Sequence, residues 1–327
     1  MRKLLIMIVL AAVATFPLGA AAETKLRLTL QLPLKHHLGQ NVQAFKEEVE
    51  RETGGEIKVE IYPSAQLYKD KEVPQAVASG AIEMGVASLT RFAGTVPAVD
   101  IFYVPFMFDS EAKVRAATAP ESRIRQTLDQ EILKTGTRVL WWQAFGGTIV
   151  LSKKNPIRTP DDVRGKKVRV FGKTIGDTVT ALGGAPTLMS GSEQFVAYQR
   201  GTVDAGMTGV TAVKSRKLYQ VMDFLTLTNH ADIEFIVLIN EKTWQSLSDK
   251  QREVITKAAR RVETELRNQM GQLEQEALND VRDKIKVIDL SDADRELWRK
   301  STESVVDSFI ERTRPLGAEL VSQAKNL

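Results

Sequence analysis

The chain of 327 residues contains no cysteine. That excludes disulfides, thiolate metal sites and cysteine nucleophiles, and leaves stability to a packed core. Histidine is almost as scarce, with only His36, His37 and His230. Two adjacent histidines cannot both face one centre from a regular element, and no His-Glu-x-x-His spacing occurs, so neither a metal nor a cofactor is expected. An excess of one charge is also missing: 45 basic residues stand against 41 acidic ones, with no Lys/Arg block, which argues against a nucleic-acid partner. Beyond residue 22 no run of 18 uncharged apolar residues exists to span a membrane. Low-complexity linkers are absent as well, so separate lobes would have to be joined by crossing segments.

What is there begins with a leader. Arg2 and Lys3 precede an uncharged run from Leu4 to Phe16, and Ala20-Ala21-Ala22 closes it with a small-residue cleavage pattern. This reads as a signal peptide over residues 1–22, cut after Ala22, and predicts a secreted, periplasmic protein. The remaining chain carries 43 basic and 41 acidic residues, a formal charge of +2. It is long enough for two lobes with cores of their own.

Leu26, Leu28 and Leu30 alternate with polar residues, which predicts a half-buried strand ending near Gln31. Val42, Phe45 and Val49 follow at helical spacing up to Gly54-Gly55, and Ile57, Val59 and Ile61 alternate again, completing a β-α-β unit. Two later segments echo one another. Val73 to Ser88 and Phe195 to Gly209 each read as a short helix, a glycine cap at Gly80 or Gly201, then a small-residue strand. The echo implies two similarly built lobes facing a shared cleft, where strand ends of open α/β sheets bind ligands. Ser248 and Gln251 form a capping box ahead of an apolar stripe running from Val254 to Val281. A single long helix leaning across both lobes is preferred to a coiled-coil dimer, since no second heptad segment exists.

The chemistry-bearing motifs are few. Gly172-Lys173-Thr174 sits between a strand and a helix like a phosphate loop, but Lys167 stands where its leading glycine belongs. Ser190-Gly191-Ser192 is no nucleophile elbow, because Leu188 replaces the first glycine. No catalytic set assembles, so an enzyme is not expected. Arg169 differs from these. Alternation in the strand Lys166 to Phe171 puts Arg169 and Phe171 on one side and Val168 and Val170 on the other. A guanidinium on a rigid strand beside an aromatic suits bidentate grip of a carboxylate.

Several motifs, in order, resemble the solute-binding component of tripartite ATP-independent periplasmic (TRAP) transporters: YPSAQL (62–67), SGAIEMGVAS (79–88), VPFMF (104–108), NPIRTPDDVRGKKVRV (155–170), APTLMSGSE (185–193), GTVDAG (201–206) and KLYQVMDFLTLTNH (217–230), with the turn at Trp244 leading into the long helix. The resemblance covers essentially the whole chain after the leader. It implies an α/β, two-lobed fold like that of periplasmic binding proteins, each lobe a mainly parallel sheet flanked by helices. Lobe I would take 23–146 plus about 234–273, and lobe II 147–233 plus about 274–327.

The resemblance further implies a receptor that closes on a small organic acid and delivers it to the subunits of a TRAP membrane permease. Arg169 falls on the arginine that binds the substrate carboxylate. Gln31, Ser88, Arg91 and His230 fall on positions that line or close the cleft, with Gln143 on the strand beside it. A second arginine of acidic-sugar binders corresponds to Ile149, the usual bracing asparagine to Thr208, and a bulky aromatic to Gly191. Space at Gly191, near Phe171, Trp142 and Phe145, points to a monocarboxylate with an apolar or aromatic body. The competing readings are a ligand sensor docking on a chemoreceptor or sensor kinase, and a periplasmic enzyme on the same two-lobe plan.

Overall fold

The computed structural model describes residues 23–327, so the expected leader lies outside the described residues. Alternating leucines make β1 (Thr24–Thr29), which pairs in parallel with β2 (Ile57–Tyr62) and with β3 (Met84–Ser88). The helix between β1 and β2, His37–Glu52, starts ahead of the Val42-Phe45-Val49 stripe because the His36 side chain accepts the Leu38 N–H at 3.1 Å and caps it. Its inner face buries Val42, Phe45 and Val49 on Leu26, Leu28 and Trp141, the packing that the 3.6-residue period demands.

Two long antiparallel strands form the centre. β4 (Thr137–Ser152) pairs with β9 (Asp232–Asn240) through its first part, and β9 in turn pairs with β3. Past Gly147, β4 changes partners, to β7 (Ala205–Gly209) and β8 (Phe224–Leu227). β7 continues in parallel to β5 (Lys167–Val170) and β6 (Ala185–Leu188), and β8 pairs in parallel with β10 (Lys286–Asp289). Parallel pairings thus outnumber antiparallel ones, all of which involve β4 or β9, and β4 carries the chain from one lobe to the other.

Gly146 marks the crossing. The β4–β9 register shifts between Ala144 and Gly146, Gly146 has φ +102°, and a Cβ there would run into the Glu274 carboxylate. Only glycine meets both conditions. Glu274 belongs to the long helix Asp249–Arg282, opened by the capping box of Ser248 and Gln251. That helix packs on the His37–Glu52 helix, on β4 and on the Val210–Ser215 helix, so it spans both lobes. The echoed pair of segments appears as short helices Val73–Ala78 and Gln194–Arg200, with Gly80 and Gly201 at φ +76° and +67°.

The tail differs from the sequence-based grouping, which assigned 274–327 to the second lobe. Helices Ser304–Arg312 and Leu316–Lys325 bury Phe309, Leu320 and Val321 in the cluster that holds Phe102 and Trp142 of the first. Arg312 also donates to Asp177 Oδ2 (2.7 Å) and Thr174 Oγ1 on the second lobe. Apolar side chains on these helices need a receiving surface, and the segment Pro97–Tyr103 supplies it. The tail is therefore a strap against both lobes.

Candidate functional site

Arg169 lies on β5, next to β7, where the second lobe's sheet faces the first. It is 2% exposed. Nη1 donates to the Met207 carbonyl at 2.6 Å and Nη2 to the Met189 carbonyl at 3.0 Å, while Nε meets no acceptor in the protein. Main-chain oxygens thus fix the fork without neutralising it. Burial, reinforced by Arg91 and Arg216, brings its pKa down to about 9. The guanidinium also sits 5.6 Å from the centre of the Phe171 ring, which is held edge-on by Tyr103.

These side chains border a cavity of about 280 Å³ between the lobes. The second lobe contributes Arg169, Phe171, Gly191, Gln194, Thr208 and Arg216; the first contributes Gln31, Asp70 and Ser88, and the crossing strands contribute Phe145, Ile233 and Phe235. Phe145 and Phe235 stack at 5.0 Å and make the apolar floor. Opposite them Asp70 accepts the Ser88 N–H (2.9 Å), the Ser88 hydroxyl (2.7 Å) and the Arg91 Nε–H (2.5 Å). Arg91 therefore stands behind the wall, pinned to a residue that lines it.

The lobes are closed over this cavity. Lys69 reaches Glu193 at 3.1 Å across the mouth, and His36 Nε2 lies 3.3 Å from Thr211 Oγ1. Asp100 accepts from Thr90 Oγ1 (2.6 Å) on its own lobe and from the N–H (3.0 Å) and hydroxyl (2.9 Å) of Thr174 on the other.

Of the residues anticipated from sequence, Gln31, Ser88, Phe145, Arg169, Phe171, Gly191 and Thr208 meet at the cavity, and four do not, Arg91 behind the wall being one. Trp142 turns to the opposite side of β4, where it packs on Phe102 and donates Nε1–H to Asp129 Oδ1 at 2.9 Å. Gln143 donates to Asn41 Oδ1 (2.6 Å) and the Leu38 carbonyl (3.3 Å), so it anchors a helix behind the floor. His230 is sealed between Phe106 and Trp298, with Nδ1 2.9 Å from Thr228 Oγ1, and burial lowers its pKa to about 4.

The expected open space at Gly191 is also corrected. The Arg216 side chain fills it, so that a Cβ on Gly191 would lie 2.5 Å from Nη1 and 2.7 Å from Nη2. Asp70, Gln194 and Arg216 were not anticipated at all. Asp70 and Arg216 lie in charged strings, Lys69-Asp70-Lys71-Glu72 and Lys214 to Lys217, that look like solvated surface. Among the described residues no group of three or more His, Asp or Glu side chains is placed to hold a metal ion.

Fold and cavity define a hinged two-lobe binding protein with a cationic interior. The family model "Bacterial extracellular solute-binding protein, family 7" matches residues 30–313. The chain belongs to that family, the solute-binding proteins of TRAP transporters whose motifs it carries. It is 30% identical over 292 residues to the C4-dicarboxylate-binding periplasmic protein DctP of Rhodobacter capsulatus, covering 88% of this chain and 86% of that one. Among solved structures, a TRAP solute-binding protein from Polaromonas bound to D-erythronate is similar with a TM-score of 0.87 and 26% identity, over 93% of this chain and 99% of that one. The galactonate complex of the sugar acid binding protein DctPAm from Advenella mimigardefordensis gives a TM-score of 0.88 at 25% identity, with the same coverage.

Proposed function

We propose that this protein is a periplasmic receptor that captures a small organic acid by closing its lobes and hands it to a TRAP-type membrane permease. One observation carries the reading. Arg169 is a buried cation whose protein partners are neutral carbonyls, so an anion in the cavity is the group that would balance it. A desolvated charge without a counter-charge is costly, and closure with the acid in place offsets that cost. Charge-assisted bonds strengthen as water leaves, so the acid binds the closed state better than the open one and shifts the population toward it.

Relatives named for acid binding, the C4-dicarboxylate protein and the complexes with erythronate and galactonate, support the substrate class. Their being binding proteins supports a role without catalysis. The leader supports export with cleavage after Ala22, and no helix among the described residues is long and apolar enough to cross a membrane.

Thermal-shift screening of organic acids, followed by calorimetry, tests the reading, because a ligand that binds only the folded state raises the melting temperature by mass action. Arg169→Ala should weaken binding of the acid found by about 30-fold to several thousand-fold, the effect of removing one partner from a buried charged pair. Affinity within threefold of wild type would refute the role of Arg169.

A further inference from the structure

Gly172-Lys173-Thr174 lacks the leading glycine of a phosphate loop, yet its glycine and its threonine both meet the opposite lobe. The segment opens the second-lobe helix Lys173–Ala181, directly after the cavity residue Phe171. Asp100 of the first lobe, wholly buried, lies at that helix start. Its Oδ2 accepts the N–H (3.0 Å) and the hydroxyl (2.9 Å) of Thr174, and its Oδ1 accepts from Thr90 on its own lobe (2.6 Å). A carboxylate from one lobe therefore caps a helix of the other. Such a cap pairs an amide that the helix leaves without a partner and complements the positive end of its dipole.

The tail completes the contact. Arg312 stands on helix Ser304–Arg312, whose Phe309 is buried with Phe102 of the first lobe. Its Nη2 donates to Thr174 Oγ1 and its Nη1 to Asp177 Oδ2 at 2.7 Å, both on the second lobe. The Thr174 hydroxyl thus accepts from the tail while it donates to Asp100, and one side chain joins three separate stretches of chain. Gly172 shows how closely the lobes approach. Its backbone is extended, at φ −157°, which any residue can adopt; glycine is required there because a Cβ would overlap the Thr90 hydroxyl of the facing lobe.

Apart from the Thr90 bond, these contacts cross between the lobes, so opening breaks them together. Thr90, Asp100, Gly172, Thr174 and Arg312 all stand outside the lining of the ligand cavity. Their contribution therefore belongs to the closed state whichever acid is inside. We propose that Asp100, Thr174 and Arg312 form a closure latch, seated where Gly172 meets Thr90, that sets how firmly the receptor holds its cargo without touching it. This rests on the reading that the lobes close over an acid. The latch raises the fraction of protein in the closed state, and apparent affinity scales with that fraction. Phe171 links latch to cavity, since it precedes Gly172, lies against Arg169 and is met edge-on by Tyr103 of the first lobe.

Because the chain has no cysteine, Lys71→Cys and Arg200→Cys, exposed positions on the first and second lobes, take spin labels at those sites alone. Succinate, D-erythronate and galactonate serve as probes, and the one that raises the melting temperature most is carried forward. Pulsed dipolar spectroscopy reads the label separation, while stopped-flow and calorimetry on the unlabelled chain read rates and affinity. With that acid the otherwise wild-type protein should show a single short separation. Gly172→Ala, harmless to an open receptor but a wedge in a closed one, should keep a long separation populated at saturating acid and weaken binding at least about tenfold. Thr174→Val keeps the shape and removes the hydroxyl, so it should weaken binding about tenfold or more, the effect of losing a hydrogen bond to a charged group. Arg312→Gln should weaken it about threefold to tenfold. In all three the loss should fall on dissociation, because the open state that first meets the acid is unchanged.

Variants that close as fully and release acid as slowly as wild type would overturn the latch and leave the receptor reading standing. Slower association with unchanged dissociation would also overturn it, by placing these residues on the route of entry. An effect of Gly172→Ala alone would assign closure to packing and remove the hydrogen-bonded latch. Three substitutions of different kinds keep the test decisive if one variant folds poorly. Failure of every probe to give a short separation in the wild-type background would overturn the closing-receptor reading itself, and the latch with it.

Discussion

Strands β4 and β9 have a cavity on either side. On one face, Phe145, Ile233 and Phe235 floor the cationic cavity beneath Arg169 and Arg216. On the other, Ala144, Gly146 and Asp232 border a larger cavity of about 780 Å³ against the long helix, where the acids Asp109, Glu111 and Glu274 stand with Arg115 and Arg267. Alternation along the strands assigns neighbouring residues to one face or the other. Buried charge is treated differently on the two sides. Behind the sheet, Glu234 is bound by Arg267 through two bonds of 2.6 and 2.8 Å, and Glu274 accepts the Gly147 N–H at 2.8 Å. In front, the arginines face carbonyls or no protein acceptor. The difference separates a brace, in which Glu234 is matched by Arg267 within the protein, from a receptor surface, where the Arg169 guanidinium is left for what it binds.

The largest expected effect would break the brace. Arg267→Ala strands the fully buried Glu234 carboxylate, and losing one partner of such a pair costs about 3–5 kcal/mol. Chemical denaturation should register that loss; a change under 1 kcal/mol would show that the back face tolerates unpaired charge as the front does. Arg169→Ala should do the reverse, weakening binding by the factor given above with a smaller loss of stability, and both variants measured by both methods sharpen the contrast.

A smaller effect concerns pH. Burial, and then the neighbouring Glu234 carboxylate, raise the Asp232 pKa well above its ordinary value. A carboxyl with a raised folded pKa stabilises fully below its unfolded value, near 4, and loses that contribution as pH rises through the folded value. The Asp232→Asn variant lacks this loss, so its melting temperature relative to wild type should climb by roughly 3 °C or more between pH 4 and pH 8. His36, His37 and His230 act in the opposite sense, their depressed pKa values costing stability as pH falls below about 6.5, but they are common to both proteins and cancel in the difference. A difference independent of pH would show that Asp232 is ionised like a surface carboxylate. The smallest effect belongs to the mouth of the cleft. Lys69→Ala removes an exposed ion pair with Glu193 worth roughly 0–1 kcal/mol, so ligand affinity should fall less than about fivefold. A larger loss would move Lys69 into the binding machinery.

Much of the frame was legible because its causes are local. Leu26, Leu28 and Leu30 alternate, Ser248 and Gln251 cap the helix they precede, and Arg169 shares a strand face with Phe171, all within a few residues of chain. Alternation also holds that Trp142 and Gln143 cannot serve one cleft together, and neither lines it. Helix packing further sends Gln143 to Asn41, while the shift of register between Val139 and Trp141 adjusts the face on which Trp142 enters the core.

The sequence by itself determined the α/β class, the order of the elements, the long crossing helix and the strand face that Arg169 shares with Phe171, since periodicity and capping act between near neighbours. Only the tertiary structure decided that Asp70 backs the wall, that Arg216 fills the gap at Gly191 and that the tail straps both lobes. Those outcomes depend on contacts between distant parts of the chain, and a charged residue in a polar string has no local signature of whether water or a closed cavity will surround it.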